Sequence, residues 1–311
     1  MSDLAIQTER LTRDFAAVRA VDDLSLDVPA GIVFGFLGAN GAGKTTTIHL
    51  LLGLLDPTSG NAQVLGLDTR TQGQRVREQT GALLEQAGLY ERLTAEENLR
   101  FYADVWRMNA SDRDARVKEL LTHMDLWERR TDRVGAWSRG MKQKLAVARV
   151  LLHRPKLVFL DEPTAGLDPV AAAALRDDLA ALAAREGVTV FLTTHNLPEA
   201  ERLCSRVGVI RRGKLLAVGS PDALRAQTGG PRVEIVGGGF SEALVASLRE
   251  RPEVTGVALE HDHLLIDLRA ADVHAAPIVG AVVAAGGQIE EVRRGKASLE
   301  EVFLTLMEDA R

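Results

Sequence analysis

Cysteine is almost absent from this chain. Of 311 residues only Cys204 carries a thiol, which excludes an internal disulfide and any zinc site built on cysteines. In the run Arg202-Leu203-Cys204-Ser205 it reads as a small packing residue. Long apolar runs are missing too. The longest, Ala275–Gly287, is broken by Pro277 and by Gly280, Gly286 and Gly287, and it falls short of the ~20 residues a membrane-spanning helix needs. The opening MSDLAIQTER has no apolar core, so no secretory signal is expected. Charge is mixed rather than one-sided: 38 Lys and Arg face 43 Asp and Glu, a net charge of −5. No basic block of the kind that tracks a nucleic acid interrupts this balance, and no nucleic-acid partner is expected.

What is present begins with a phosphate cradle. Ile32–Leu37 is a short apolar run that reads as a buried strand. Gly38, Ala39, Asn40, Gly41, Ala42, Gly43, Lys44 and Thr45 follow it in the pattern G-x-x-x-x-G-K-S/T. The glycines let the backbone curl until successive N–H groups point at phosphate oxygens. Lys44 would reach the β- and γ-phosphates of ATP, and the Thr45 hydroxyl would ligate Mg2+. Thr46 to Leu55 continues as an apolar helix whose positive end faces the phosphates. A second buried strand, Leu157–Leu160, ends in Asp161-Glu162-Pro163. The carboxyl end of a parallel strand is where an α/β sheet puts its ligand chemistry. Asp161 is expected to hold Mg2+, and Glu162 to act as general base for an attacking water.

Between these motifs stands Trp137-Ser138-Arg139-Gly140-Met141. With it, residues 4–225 resemble the ATP-binding subunit of an ABC transporter. Ser138 and Gly140 match the family's L-S-G-G-Q signature loop, whereas Arg139 and Met141 depart from it and Trp137 is an unusual first residue. The resemblance implies that this loop opens a helix, Met141–Leu152, whose N-terminus meets the γ-phosphate on a partner copy. Arg139 itself reads as a solvated charge. Gly166-Leu167-Asp168 resembles the D-loop that crosses the dimer interface. His195, after Val188–Thr194, resembles the switch histidine that touches the γ-phosphate. Phe15 falls where the family stacks an aromatic on adenine, and Glu85 falls at the Q-loop position next to the metal, with Gln86 beside it. Implied partners are a second copy, head to tail around two ATP, and a separate membrane subunit of about six helices. The chain would then sit peripherally on the cytoplasmic face of the membrane, with the Ser298-Leu299-Glu300-Glu301-Val302-Phe303 tail leaning toward export. The alternative is a soluble ABC ATPase with an assembly, regulatory or nucleic-acid-associated role. A chromosome-maintenance relative would carry a long coiled coil, and none is present; a metabolic P-loop kinase would lack Ser138 and Gly140 here.

The fold expected is α/β: a P-loop NTPase core with a parallel sheet, an N-terminal antiparallel layer over residues 4–37, a helical insert over 88–149 and a small C-terminal α+β domain. The parallel sheet would come from 38–80 and 150–225. Within the insert, Thr94 to Glu97 reads as a capping box opening Ala95–Trp106, and Ser111 to Asp114 as another, opening a helix to about Asp125. In relatives this insert forms the groove for a membrane subunit's helix; Tyr90, Leu93 and Phe101 are candidates for it. The ATP-binding domain is set at 1–228 and the accessory domain at 229–311, after Gly229-Gly230-Pro231. Strands at Arg232–Val236, Val254–Glu260, His263–Arg269 and Gln288–Arg293, with helices at Ser241–Arg251 and Ala271–Ala285, give the order β-α-β-β-α-β. A last segment, Ala297–Asp309, resembles the tail of exporter ATPases. His261 and His263 read as a hairpin turn rather than a metal site.

Overall fold

Alternation of apolar and polar residues builds the first layer. β1 (Leu4–Phe15) and β2 (Val18–Pro29) pair antiparallel, and Leu24, Leu26 and Val28 point to the buried face at every second position. The computed structural model describes residues 3–228, 231–270, 273–296 and 298–309. Its chain divides into two compact units, Met1–Val218 and Gly219–Arg311. Gly229, Gly230, Ala271 and Ala297, named above at a linker, a helix start and the start of the last segment, lie outside the described residues.

In the first unit β3 (Val33–Leu37) leads to α1 (Lys44–Leu51). β4 (Ser59–Val64), β5 (Leu67–Asp68), α2 (Gly73–Gln79) and β6 (Thr80–Leu83) come next. The insert holds α3 (Ala95–Val105), α4 (Ala110–His123) and α5 (Arg139–Leu151). β7 (Leu157–Asp161), α6 (Pro169–Glu186), β8 (Thr189–Thr194), α7 (Leu197–Leu203), β9 (Arg206–Arg211) and β10 (Lys214–Gly219) complete it. Six strands form one sheet in the order β10-β9-β3-β8-β7-β6, with β9, β3, β8, β7 and β6 paired in parallel. Every residue of β7 and β8 is buried, as a parallel sheet covered on both faces requires. Phe34, Phe36 and Phe159 gather around Phe191 with ring centroids 5.5, 5.4 and 5.6 Å from it.

Two details differ from the sequence expectation. β3 belongs to the parallel sheet rather than to the antiparallel layer, and that layer is completed instead by β4 and β5 in the order β2-β1-β4-β5. The SGNAQV sequence of β4 has little strand propensity. Pairing with β1 makes it a strand, through Ile6 opposite Val64 and Thr8 opposite Ala62. The capping box of Thr94 and Glu97 is present, but the cap of α4 lies two residues before the expected Ser111. Asn109 caps it by accepting from the Asp112 N–H at 2.9 Å.

The second unit contains α8 (Pro221–Thr228), β11 (Pro231–Gly238), α9 (Glu242–Arg249), β12 (Val254–Glu260) and β13 (His263–Leu268). α10 (Ala276–Ala284), β14 (Gln288–Lys296) and α11 (Leu299–Asp309) finish it. Its sheet runs β12-β13-β11-β14 with antiparallel neighbours throughout, the split-βαβ arrangement. Leu244, Leu248, Ile278 and Val282 of α9 and α10 pack on Val233, Ile235, Leu264 and Ile266. Among the described residues no helix is long and apolar enough to cross a membrane.

One buried charge ties the insert to the core. Arg116 of α4 is 1% exposed. Its guanidinium donates to both oxygens of Glu186 at the end of α6, at 2.9 and 2.8 Å, and to the Leu151 carbonyl at 2.7 Å. Desolvation opposes ionisation of Glu186, yet the Arg116 bonds hold its carboxyl below the usual value. The contribution is therefore present above pH ~4.3 and is lost as the pH falls through the lower folded value. Arg116→Ala is expected to destabilise the first unit by about 2–3 kcal/mol in urea unfolding, because Glu186 would stay behind partly buried with only Arg185 as its charged partner. A change below about 1 kcal/mol would show that the pair does not anchor the insert.

Candidate functional site

The loop between β3 and α1 is shaped by glycine. Gly41 and Gly43 have φ of +78° and +109°, and a Cβ on Gly43 would sit 2.3 Å from the Ala20 carbonyl oxygen. α1 has no acidic residue in its first turn and no side-chain cap, so its positive end is left for an anion. Lys44 is 6% exposed, and its Nζ donates to the Gly38 carbonyl at 2.7 Å.

Three strand ends meet below this loop. Asp161, at the end of β7, accepts from Thr45 Oγ1 at 2.7 Å on one oxygen and from Thr193 Oγ1 of β8 on the other. Glu162 follows with φ +50°, a strained conformation for a residue with a side chain. Its N–H donates to Thr193 Oγ1 at 3.1 Å. Its carboxylate spans two groups: Oε1 lies 3.0 Å from Lys44 Nζ, and Oε2 lies 2.7 Å from His195 Nδ1. Catalytic candidates far apart in sequence, Lys44, Glu162 and His195, are thus in direct contact.

A cavity of about 670 Å3 opens over this cluster. Asn40, Gly41, Gly43, Lys44, Thr45 and Thr46 line it, together with Asp161, Glu162 and Glu85; Gln86 is not among the lining residues. Gly38 and Ala42 instead hold the loop from behind, Gly38 through its bond to Lys44 and Ala42 by accepting from the Gly213 N–H at 2.9 Å. The donor set is hard oxygen: the Thr45 hydroxyl and the Asp161 carboxylate, with Glu85 in the same wall. That chemistry suits Mg2+. No group of three or more His, Cys, Asp or Glu that would cage a metal occurs among the described residues, so an ion here would need phosphate oxygens or water to fill its shell.

The remaining candidates lie outside this cavity. Phe15 is 40% exposed at the end of β1 and carries the Arg13 guanidinium 4.5 Å from its ring centre. Ser138 is the exposed cap of α5, accepting from the Met141 N–H at 3.3 Å, and Gly140 approaches Ala171 of α6 so closely that a Cβ would lie 3.0 Å from it. Asp168 caps α6 by accepting from the Val170 and Ala171 N–H groups. Trp137, just before Ser138, is a core residue at 6% exposure. Arg139 is exposed, as expected of a solvated charge, but it also has a specific partner. It donates to the Ala165 carbonyl at 2.9 Å, lies across Gly166, and lines the cavity with Gln143. Their i, i+4 spacing on α5 was a readable signal of a shared face. Arg19 and Arg212 line the cavity as well, and nothing local marks them. Gly43→Ala is expected to weaken nucleotide binding at least tenfold, read by anisotropy of a fluorescent nucleotide. Unchanged affinity would mean that the loop tolerates a carbonyl clash it has no room for.

Comparisons with known proteins agree with this geometry. A family model described as "ABC transporter" matches residues 21–165, one described as "ATP-binding protein DrrA1-3-like, C-terminal domain" matches 219–307, and one described as "AAA domain, putative AbiEii toxin, Type IV TA system" matches 132–200. The chain is 37% identical, over all of its length and 98% of the relative's, to the daunorubicin resistance ATP-binding protein DrrA3 of Streptomyces coeruleorubidus. It is 41% identical to the bacitracin transport ATP-binding protein BcrA of Bacillus licheniformis, over 68% of each chain. Over 97% of each it is 31% identical to the linearmycin resistance ATP-binding protein LnrL of Bacillus subtilis. A solved structure described as the ATP binding subunit of an ABC transporter superposes with a TM-score of 0.64 at 32% identity, covering 72% of this chain and 92% of that one.

Proposed function

The chain belongs to the ABC transporter family of ATP-binding subunits, and from that premise we propose that it is the ATP-hydrolysing motor of an exporter whose membrane-crossing part is a separate chain. The observation that carries this reading is the Glu162 carboxylate held between Lys44 and His195 beneath the glycine loop. ATP phosphates enter the loop at residues 38–43, where Lys44 meets the β- and γ-oxygens. Glu162, held in position by His195, takes a proton from the attacking water, and His195 itself reaches the γ-phosphate. Mg2+ held by Thr45 and Asp161, with Glu85 beside it, would supply neutralising charge on the phosphates.

Two copies complete the site. Ser138 and Gly140 lie outside their own chain's cavity, on the exposed N-terminus of α5, which supports their serving the γ-phosphate of a second copy, with Asp168 at the crossing. Phe15 would stack on adenine from the rim. The membrane subunit docks on the insert, where Tyr90 and Phe101 stand 47% and 43% exposed with ring centroids 4.8 Å apart. Such an assembly acts on the cytoplasmic face of a membrane. The names of the relatives, which speak of drug resistance and bacitracin transport, support export as the direction. The second unit, for which no chemistry is apparent, stabilises the dimer or regulates it.

Three substitutions separate the roles. Glu162→Gln is expected to bind ATP and to lose turnover about 100-fold or more, trapping a dimer in gel filtration; turnover near the normal rate would remove Glu162 as the base. Lys44→Ala is expected to lose tight ATP binding in the same assay. Glu85→Gln should keep ATPase activity within a few-fold, since an amide oxygen can take the same place beside the metal; a collapse of Mg2+-dependent turnover would give the carboxylate a task of its own. For the assembly, tagged chain is captured from mildly solubilised membranes and its partners are identified by mass spectrometry. A stoichiometric multi-helix protein is the expected result, and recovery with soluble or RNA-bound partners alone would overturn the exporter reading.

A further inference from the structure

The contact between Glu162 and His195 joins two segments just past the last tie of the backbone ladder, where the Glu162 N–H donates to the Thr193 carbonyl at 3.2 Å. Glu162 begins the loop after β7, and His195 follows the last residue of β8. Behind them lies a third carboxylate that takes no part in the chemistry proposed above. Glu199, in α7, is 2% exposed. Its Oε2 accepts from Thr164 Oγ1 at 2.7 Å and from Thr194 Oγ1 at 3.4 Å. Thr164 stands two residues after Glu162, and Thr194 stands immediately before His195. One buried oxygen therefore takes a donor from each of the segments carrying the two groups.

The support under Glu199 is local and short. Asn196 caps α7, accepting from the Glu199 N–H at 3.2 Å, and its own N–H donates to Thr194 Oγ1 at 2.9 Å. Thr194 Oγ1 is thus fixed from both sides, as donor to Glu199 and acceptor from Asn196. The other carboxylate oxygen, Oε1, is buried with no hydrogen-bond partner. Leaving an acceptor unpaired in a low-dielectric site is costly. Burial pushes the Glu199 carboxyl above its usual range, with the two threonine bonds working against it.

We propose that Glu199 is a positioning residue that latches the loop after β7 to the end of β8, and so sets the spacing between Glu162 and His195. The proposal rests on the roles assigned to those two residues under Proposed function. It acts through orientation alone: no proton or phosphate passes through Glu199. A displacement of the base by about 1 Å is enough to slow a reaction on the order of 100-fold while leaving the substrate bound.

The test uses the full chain and two readouts. Thr164→Val and Glu199→Ala are expected to lower kcat at least tenfold with KM for ATP and nucleotide affinity unchanged, and Thr164→Ser to restore kcat. Glu199→Gln keeps an acceptor for both hydroxyls but buries amide donors where Oε1 has no partner. It is expected to melt earlier than the parent while keeping kcat within about threefold, which separates positioning from stability. Hydrogen exchange by mass spectrometry on the nucleotide-free chain gives the second readout: Thr164→Val and Glu199→Ala should exchange faster over residues 162–168 and 193–197. Exchange unchanged in both variants overturns the latch whatever the ATPase result, and so does a kcat loss that simply follows melting temperature across the four variants. If the parent chain hydrolyses no ATP, the motor reading fails, and the exchange measurement still decides whether Glu199 holds the two segments.

Discussion

A carboxylate taken out of water must find donors or neutralise, and Asp161 finds two hydroxyls. It is 6% exposed, with Thr45 on one oxygen and Thr193 on the other. Those partners come from α1 and β8, while Asp161 belongs to β7. The three elements therefore cannot shift independently at this end of the sheet. Everything else at the site is referred to this knot. Thr193 also receives the Glu162 N–H, so the base is positioned by a residue already engaged with the neighbouring carboxylate. The positive φ of Glu162 is tolerated because that surrounding network over-determines it.

The same logic appears at larger scale in the insert. Arg116 is nearly as buried as the phenylalanines of the core, and Glu186 meets its charge with both oxygens. The loop beyond Glu162, by contrast, takes single side-chain bonds from either side, from Arg139 to Ala165 and from Thr164 to Glu199. Strong, paired charges fix the scaffold, while individual hydrogen bonds set the loops that touch the cavity. A difference of that kind is what lets a loop adjust without loosening the elements beneath it.

Legibility in the sequence follows the span over which each task is written. The glycine loop was readable because Gly41, Gly43, Lys44 and Thr45 each have a backbone or charge role within a few contiguous residues. Asp161 and Glu162 were readable as the end of a buried strand. Thr193 was not, because a threonine in Val188–Thr194 looks like any β-branched strand residue until its partner, distant in sequence, is known. Glu199 was hidden for the same reason, inside an ordinary helix start. β4 was missed because SGNAQV becomes a strand only against β1. The contact of Arg139 with Ala165 could not be read, since a charge at an exposed helix start is normally solvated. The β-α-β-β-α-β order within the second unit was read from the sequence because turn residues separate its short apolar segments, although α8 before them was not.

The scarcity of aromatics has an optical consequence. The chain has three tryptophans, and all fall in the insert. Trp106 closes α3 and stacks on His153 at 3.8 Å, Trp127 sits under the Arg130 guanidinium at 4.3 Å, and Trp137 is buried directly before Ser138. Indole emission from this protein therefore originates entirely from one region, while the parallel sheet, the glycine loop and the second unit are dark at the same excitation. Each indole also has a different quencher or shield: an imidazole face, a cation, and the apolar core. The insert carries its own built-in fluorophores, one of them directly before the helix start at Ser138, and no label is needed to watch it.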